Sequence, residues 1–80
     1  MKITLVAFGI AKDILGQREI PYELTGSATV EGLLDQLKNE FPEFQRLTSL
    51  RVAVNSEYAR NEAIITAQDE VVLIPPVSGG

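Results

Sequence analysis

Apolar and polar positions change rhythm along this chain, and each change marks an element. Residues 2–8 place Ile3, Leu5 and Ala7 on one face of an extended segment and Val6 and Phe8 on the other. Apolar residues on both faces predict a strand covered, at least in part, on both sides. Residues 11–15 have the length of one helical turn, with Gly16 placed to stop it in the left-handed conformation. Residues 18–24 alternate strictly, with Ile20, Tyr22 and Leu24 opposed to Glu19, Pro21 and Glu23. Pro21 has no N–H to give a neighbouring strand, so this segment is predicted at a sheet edge. Thr25-Gly26-Ser27 is turn chemistry.

The period then shifts from two to about 3.6 residues. Val30, Leu33, Leu34, Leu37 and Phe41 form a single stripe behind Thr29 as N-cap and Glu31 in the first turn, and Pro42 stops the helix. Residues 51–55 read as a short strand with Val52 and Val54 on one face, residues 55–57 as a turn, and residues 58–65 as a second short extended piece. Val71 to Ile74 is an unbroken apolar run behind Asp69-Glu70, the pattern of a buried strand. The order of strand, strand, helix and two or three further strands predicts an α+β domain with one main helix on one face of the sheet. The first and last strands, apolar on both faces, are expected at its centre.

Composition narrows the chemistry. Eighty residues hold one core, and 45% hydrophobic with 22% charged residues is an ordinary globular mix. The chain has no cysteine and no histidine. Disulfides, thiolate metal sites, sulfur nucleophiles and the commonest general base are therefore unavailable. A net charge of −4 gives no basic footprint for nucleic acid and points to a partner with a basic surface. Met1-Lys2 followed by an apolar stretch imitates a signal peptide, but Gly9-Ile10-Ala11 is a poor cleavage site and Lys12-Asp13 follows at once. No run approaches the roughly 18 apolar residues of a membrane span. The chain is expected to be cytoplasmic, with no membrane partner.

The ending Pro75-Pro76-Val77-Ser78-Gly79-Gly80 stands apart. It divides the chain into a domain of residues 1–74 and an extended tail of residues 75–80. Two prolines favour a stiff polyproline path, and six residues reach roughly 20 Å at about 3.3 Å each. Gly79 and Gly80 carry no side chains, so the tip fits a channel that any Cβ would block. Such a tail suits delivery of its terminal carboxylate into another protein. A carboxylate is a poor electrophile, but joined to AMP as a mixed anhydride it yields a thiocarboxylate or an amide when sulfur or an amine displaces the AMP. That route needs no histidine or cysteine in this chain. The plain alternative is a frayed terminus.

The stretch from Asp69 to Gly80 resembles the C-terminal signature of the molybdopterin synthase small-subunit family, the MoaD-type sulfur carriers. Phe8 at the end of the first strand, Lys12-Asp13-Ile14-Leu15-Gly16, Thr29-Val30 and Ala53-Val54-Asn55 extend the similarity along the chain. The resemblance implies a ubiquitin-like β-grasp fold with a free C-terminal tail and no bound cofactor or metal. It also implies that an E1-like adenylating enzyme spends ATP on Gly80, and that a sulfur donor enzyme converts the adenylate to a thiocarboxylate. Pro75, Pro76, Val77, Ser78 and Gly79 would thread into the large subunit of a heterotetrameric synthase. There the sulfur attacks a pyranopterin precursor and builds the dithiolene of molybdenum cofactor. The side-chain catalysts belong to the large subunit, so this chain is a sulfur-donating subunit with no catalysis of its own. Phe8, Tyr58 and Ile74 match family interface positions and are candidates for an apolar docking patch. Burial within the domain is the bland reading of each.

Three positions depart from the family pattern. Ala67-Gln68 replaces the glycine-containing turn before the last strand, Lys12-Asp13 stands where Arg-Glu is common, and Leu73-Ile74 replaces a frequently aromatic pair. Glu57, Glu62, Asp69 and Glu70 are either an acidic rim for a basic partner or solvated turn charges. Lys2, Lys12 and Lys38 are acceptors for a modifier or ordinary solubilising charges. Two other functional classes compete: a sulfur carrier for thiamine or tRNA thiolation, and a ubiquitin-like modifier that ends on target lysines. A plain interaction domain with a frayed tail is the third.

Overall fold

Strand β1 (Lys2–Ala7) and strand β5 (Glu70–Ile74) run parallel side by side, as expected of two segments apolar on both faces. In this computed structural model, which describes residues 1–47 and 50–75, they are the centre of a five-stranded sheet of order β2-β1-β5-β3-β4. Strand β2 (Glu19–Glu23) lies at the edge, antiparallel to β1, and Thr4 opposes Pro21. The missing N–H of Pro21 is tolerated at such an edge. Strand β3 (Arg51–Val54) pairs antiparallel with β5, and the two-residue strand β4 (Glu57–Tyr58) closes the other edge.

Helix α2 (Val30–Glu40) covers one face. Thr29 caps it by accepting a hydrogen bond from the Gly32 N–H at 3.1 Å. Val30, Leu33 and Leu37 are buried against Ile3, Leu5, Val52, Val71 and Leu73, so the predicted stripe and the inward residues of the central strands form one core. A Cβ at residue 32 would stand 2.3 Å from the Ser27 carbonyl oxygen, so the approach of the preceding turn to the helix requires glycine there. Gln36 ties the helix to the end of β2. Its Nε2 donates to the Glu23 carbonyl at 2.8 Å, and its Oε1 accepts from the Thr25 N–H at 3.0 Å.

Two local expectations are corrected, and one element is added. The turn at residues 11–15 is a longer helix, α1 (Gly9–Leu15), because Gly9 at φ +56 lets the chain turn directly after the extended Phe8; Gly16 at φ +84 ends it as expected. Pro42 ends α2 but opens a 3-10 helix, Pro42–Arg46, since a proline in the first turn loses no needed donor. Phe44 in that turn is fully buried and meets Phe41 edge-on, with ring centroids 6.2 Å apart. Residues 58–65 form no second strand beyond Tyr58. They are a loop held by Val30 N–H to Ala63 O (3.1 Å), Glu31 N–H to Asn61 O (2.9 Å) and a bridge between Thr29 and Ile64, with Ile65 buried in the core. The α2 N-terminus supplies the partners that a neighbouring strand would otherwise give.

Candidate functional site

The face of the sheet opposite α2 carries Thr4, Val6 and Phe8 from the β1 side, Val72 and Ile74 from β5, and Arg51, Ala53 and Tyr58 from β3 and β4. Each follows from the alternation, because Ile3, Leu5, Ala7, Val52, Val71 and Leu73 all point into the core. Ala7 opposes Leu73, so Phe8 lies beside Ile74, and Ile74 in turn opposes Arg51. Ala53 opposes both Val72 and Tyr58. No helix or loop described here covers this face.

Phe8, Ile74 and Tyr58 are thus on one surface. Phe8 is 42% and Tyr58 67% exposed, while Ile74 is half-buried between its neighbours. Strand β5 ends at Ile74, and Pro75, also half-buried, sets its ring against the Gly9 backbone. A Cβ at residue 9 would come 3.4 Å from Pro75 Cγ. The base of the tail is therefore seated at the junction of β1 and α1. Pro76, Val77, Ser78, Gly79 and Gly80 lie outside the described residues.

Two arginines that sequence reasoning passed over flank that base. The Arg18 guanidinium lies 5.2 Å from the centroid of the Phe8 ring, and that of Arg51 lies 5.4 Å from the centroid of Tyr58. The signal for Arg51 was its strand parity with Ala53, which puts it on the open face. Arg18 carried no such signal, because it lies just before β2 with the parity of Ile20 and Tyr22, which face the core.

The acidic residues behave differently. Glu57, Asp69 and Glu70 gather at the end of the sheet away from Ile74, and Glu62 lies in the loop before β5. The Asp69 carboxylate accepts from the Thr66 N–H at 2.8 Å and from Asn55 Nδ2 at 2.9 Å, and Asn55 Oδ1 accepts from the Glu70 N–H at 3.0 Å. First the backbone bond and then the Asn55 amide hold Asp69 below its ordinary value. This hydrogen bonding also explains how Ala67-Gln68 manages without glycine: the turn needs no positive φ at either residue.

Burial, reinforced by the bond its hydroxyl donates to Glu40 at 2.9 Å, pushes the Tyr22 phenol up, so it stays protonated at neutral pH. The N-terminal ammonium, 2.6 Å from Glu23, lowers that carboxyl. Both groups fasten β2 at the end of the sheet away from Ile74. Among the described residues no cluster of acids forms a metal site, and no helix is long and apolar enough to cross a membrane. What the open face offers is an exposed apolar surface beside the end of β5.

Comparison with known proteins gives a consistent result. The ThiS family model matches residues 7–80. A molybdopterin synthase sulfur carrier subunit from Arabidopsis thaliana is 32% identical over 81 residues, covering 100% of this chain and 84% of that protein. One from Chlamydomonas reinhardtii is 34% identical over 83 residues, covering 100% of both. The crystal structure of SAMP1 from Haloferax volcanii, a small archaeal modifier protein, superposes with a TM-score of 0.78 at 29% identity, over 100% of both chains. The fold is the ubiquitin-like β-grasp.

Proposed function

The chain belongs to the ThiS family, and from that premise we propose that it is the sulfur-carrier small subunit of molybdopterin synthase. The observation that carries this reading is Gly79-Gly80, five and six residues beyond a central strand that ends beside an exposed Phe8, in a chain that sulfur carrier subunits match over its full length. A stiff proline pair ahead of two glycines without side chains suits delivery of a carboxylate into a partner.

A carboxylate oxygen of Gly80 attacks the α-phosphorus of ATP in an E1-like adenylating enzyme, and pyrophosphate leaves. A sulfur donor enzyme provides sulfur at the sulfide level, which attacks the acyl carbon and expels AMP, leaving a C-terminal thiocarboxylate. With Pro75, Pro76, Val77, Ser78 and Gly79 threaded into the large synthase subunit, that sulfur attacks a carbon of the pyranopterin precursor and displaces an oxygen substituent from it. Water then cleaves the acyl–sulfur bond and returns the Gly80 carboxylate. Two such deliveries make the dithiolene of molybdenum cofactor. Docking places Phe8, Tyr58 and Ile74 against the large subunit in a cytoplasmic heterotetramer. This chain contributes position and a nucleophilic sulfur, and the large subunit contributes the catalytic side chains.

The likeness to a small archaeal modifier protein favours a second reading, in which an amine displaces AMP and the chain ends as an amide on a lysine. One experiment separates the two. Intact mass is measured after incubation with ATP, a sulfur donor and the adenylating enzyme of the same source, beside a Gly80-deleted control. Replacement of one oxygen by sulfur, absent in the control, is the expected result. Adducts to other proteins that survive denaturation and thiol reductant, with no sulfur-bearing chain, would establish the modifier instead.

A further inference from the structure

Two arginines flank the end of the sheet at which β5 gives way to Pro75, in a chain of net charge −4. Arg51 opposes Ile74 on the open face, and Arg18, which precedes β2, reaches the Phe8 ring from the β1 edge. The acid of β2 on that face and at that end is Glu19, opposite Val6. At the other end of the face Glu23 and Glu70 stand with Lys2, and Glu23 is paired to the N-terminal ammonium.

The two cations are also held ready. Each guanidinium rests over an exposed aromatic ring, Arg18 over Phe8 and Arg51 over Tyr58. Among the described residues the one ion pair is that of the N-terminus with Glu23, so neither arginine is committed to a carboxylate. A cation–π contact of this length uses none of the N–H donors of a guanidinium, which can grip a carboxylate through two parallel bonds. Ordering the side chain before the encounter also lowers the entropy lost on binding.

Their placement is specific. Strand β5 lies between β1 and β3, so the strand that becomes the tail runs between the two arginine-bearing sides. Phe8 and Arg51 are two strand spacings apart, about 10 Å at about 4.8 Å per spacing. We infer that Arg18 and Arg51 form a cationic bracket that reads carboxylates on both sides of a partner's tail channel, the apolar Phe8, Ile74 and Tyr58 filling the surface between them. This rests on the carrier reading and refines it: the receiving protein carries Asp or Glu at its channel rim, whereas net charge alone pointed to a basic surface. Charges at an interface rim act chiefly on the rate and orientation of encounter.

The test is association kinetics of the full chain with the purified adenylating enzyme of the same source, at low and at physiological ionic strength. Wild-type association should slow as salt rises. The double variant R18E/R51E should associate about tenfold or more slowly at low salt, with the salt dependence flattened or reversed. Its melting temperature should stay that of the wild type, because both side chains are on the surface. If the reversed variant melts early, R18Q/R51Q replaces it, with a smaller loss in the same direction expected. R18K/R51K should keep the salt dependence and lose the tightness of the two-bond grip. Rates and salt dependence within twofold of wild type, or faster association on reversal, would overturn the bracket while leaving the carrier reading intact. A wild-type chain that neither binds the enzyme nor acquires sulfur would overturn the carrier reading, and the bracket with it.

Discussion

Asp69 shows how a single residue replaces a local sequence rule. Sequence alone left it either a rim charge for a partner or a turn charge, and the structure gives it two hydrogen bonds that close the turn before β5. Because these bonds hold its carboxyl below the ordinary value of 3.8, the folded state binds its proton less readily than the unfolded state does. Its contribution is therefore complete above the unfolded value and disappears as pH falls through the lower folded one. A carbon-13 titration of the Asp69 carboxyl should have its midpoint below 3.8, and Asn55→Ala should raise it. An ordinary midpoint in the wild type would mean that the turn is not closed this way. Thr29 was legible in advance, because a hydroxyl before an apolar stripe has one obvious task. Asn55 was not, since its partners Asp69 and Glu70 are 14 and 15 residues away.

Among the elements, those with a strong period formed where their pattern placed them. Strand β1, strand β2, helix α2 and strand β5 each present the expected face to the core. The errors fall on short segments, where pattern is ambiguous and tertiary partners decide. The 3-10 helix exists because Phe44 finds a hydrophobic site beneath α2, and the loop after Tyr58 is fixed by hydrogen bonds to the start of that helix. The hairpin between β3 and β4 shows the same tension. Asn55 and Ser56 both have positive φ, at 53° and 72°. That is the geometry of a tight two-residue hairpin turn, which favours Asn-Gly. Ser56→Gly should therefore stabilise the protein by a few tenths to about 1 kcal/mol, relief of the left-handed conformation outweighing the added freedom of the unfolded chain. Urea denaturation measures it, and a loss of stability would show that Ser56 makes a contact worth more than the strain.

For the molecule as a whole, one small core carries the fold. A domain of this size has only about 3–5 kcal/mol to spare. Leu37 is fully buried at the meeting of helix and sheet, so Leu37→Ala, at about 2–5 kcal/mol, should leave little folded protein at room temperature by circular dichroism. A mild shift in melting temperature would instead show that the core closes around the gap. Covering of the sheet by α2 leaves the other face open among the described residues, and Ile74, where β5 ends, lies on that face. Periodicity, capping and a proline's missing donor are local physics, so the inward faces, the edge position of β2, the Thr29 cap of α2 and the family likeness of the ending are all readable from the chain. That Phe8, Ile74 and Tyr58 share a surface with Arg51, that Arg18 reaches Phe8, and that Glu57, Asp69 and Glu70 gather at the opposite end depend on the pairing of distant segments. Those neighbours come from strands distant in sequence, and the parallel pairing of β1 with β5 sets their register.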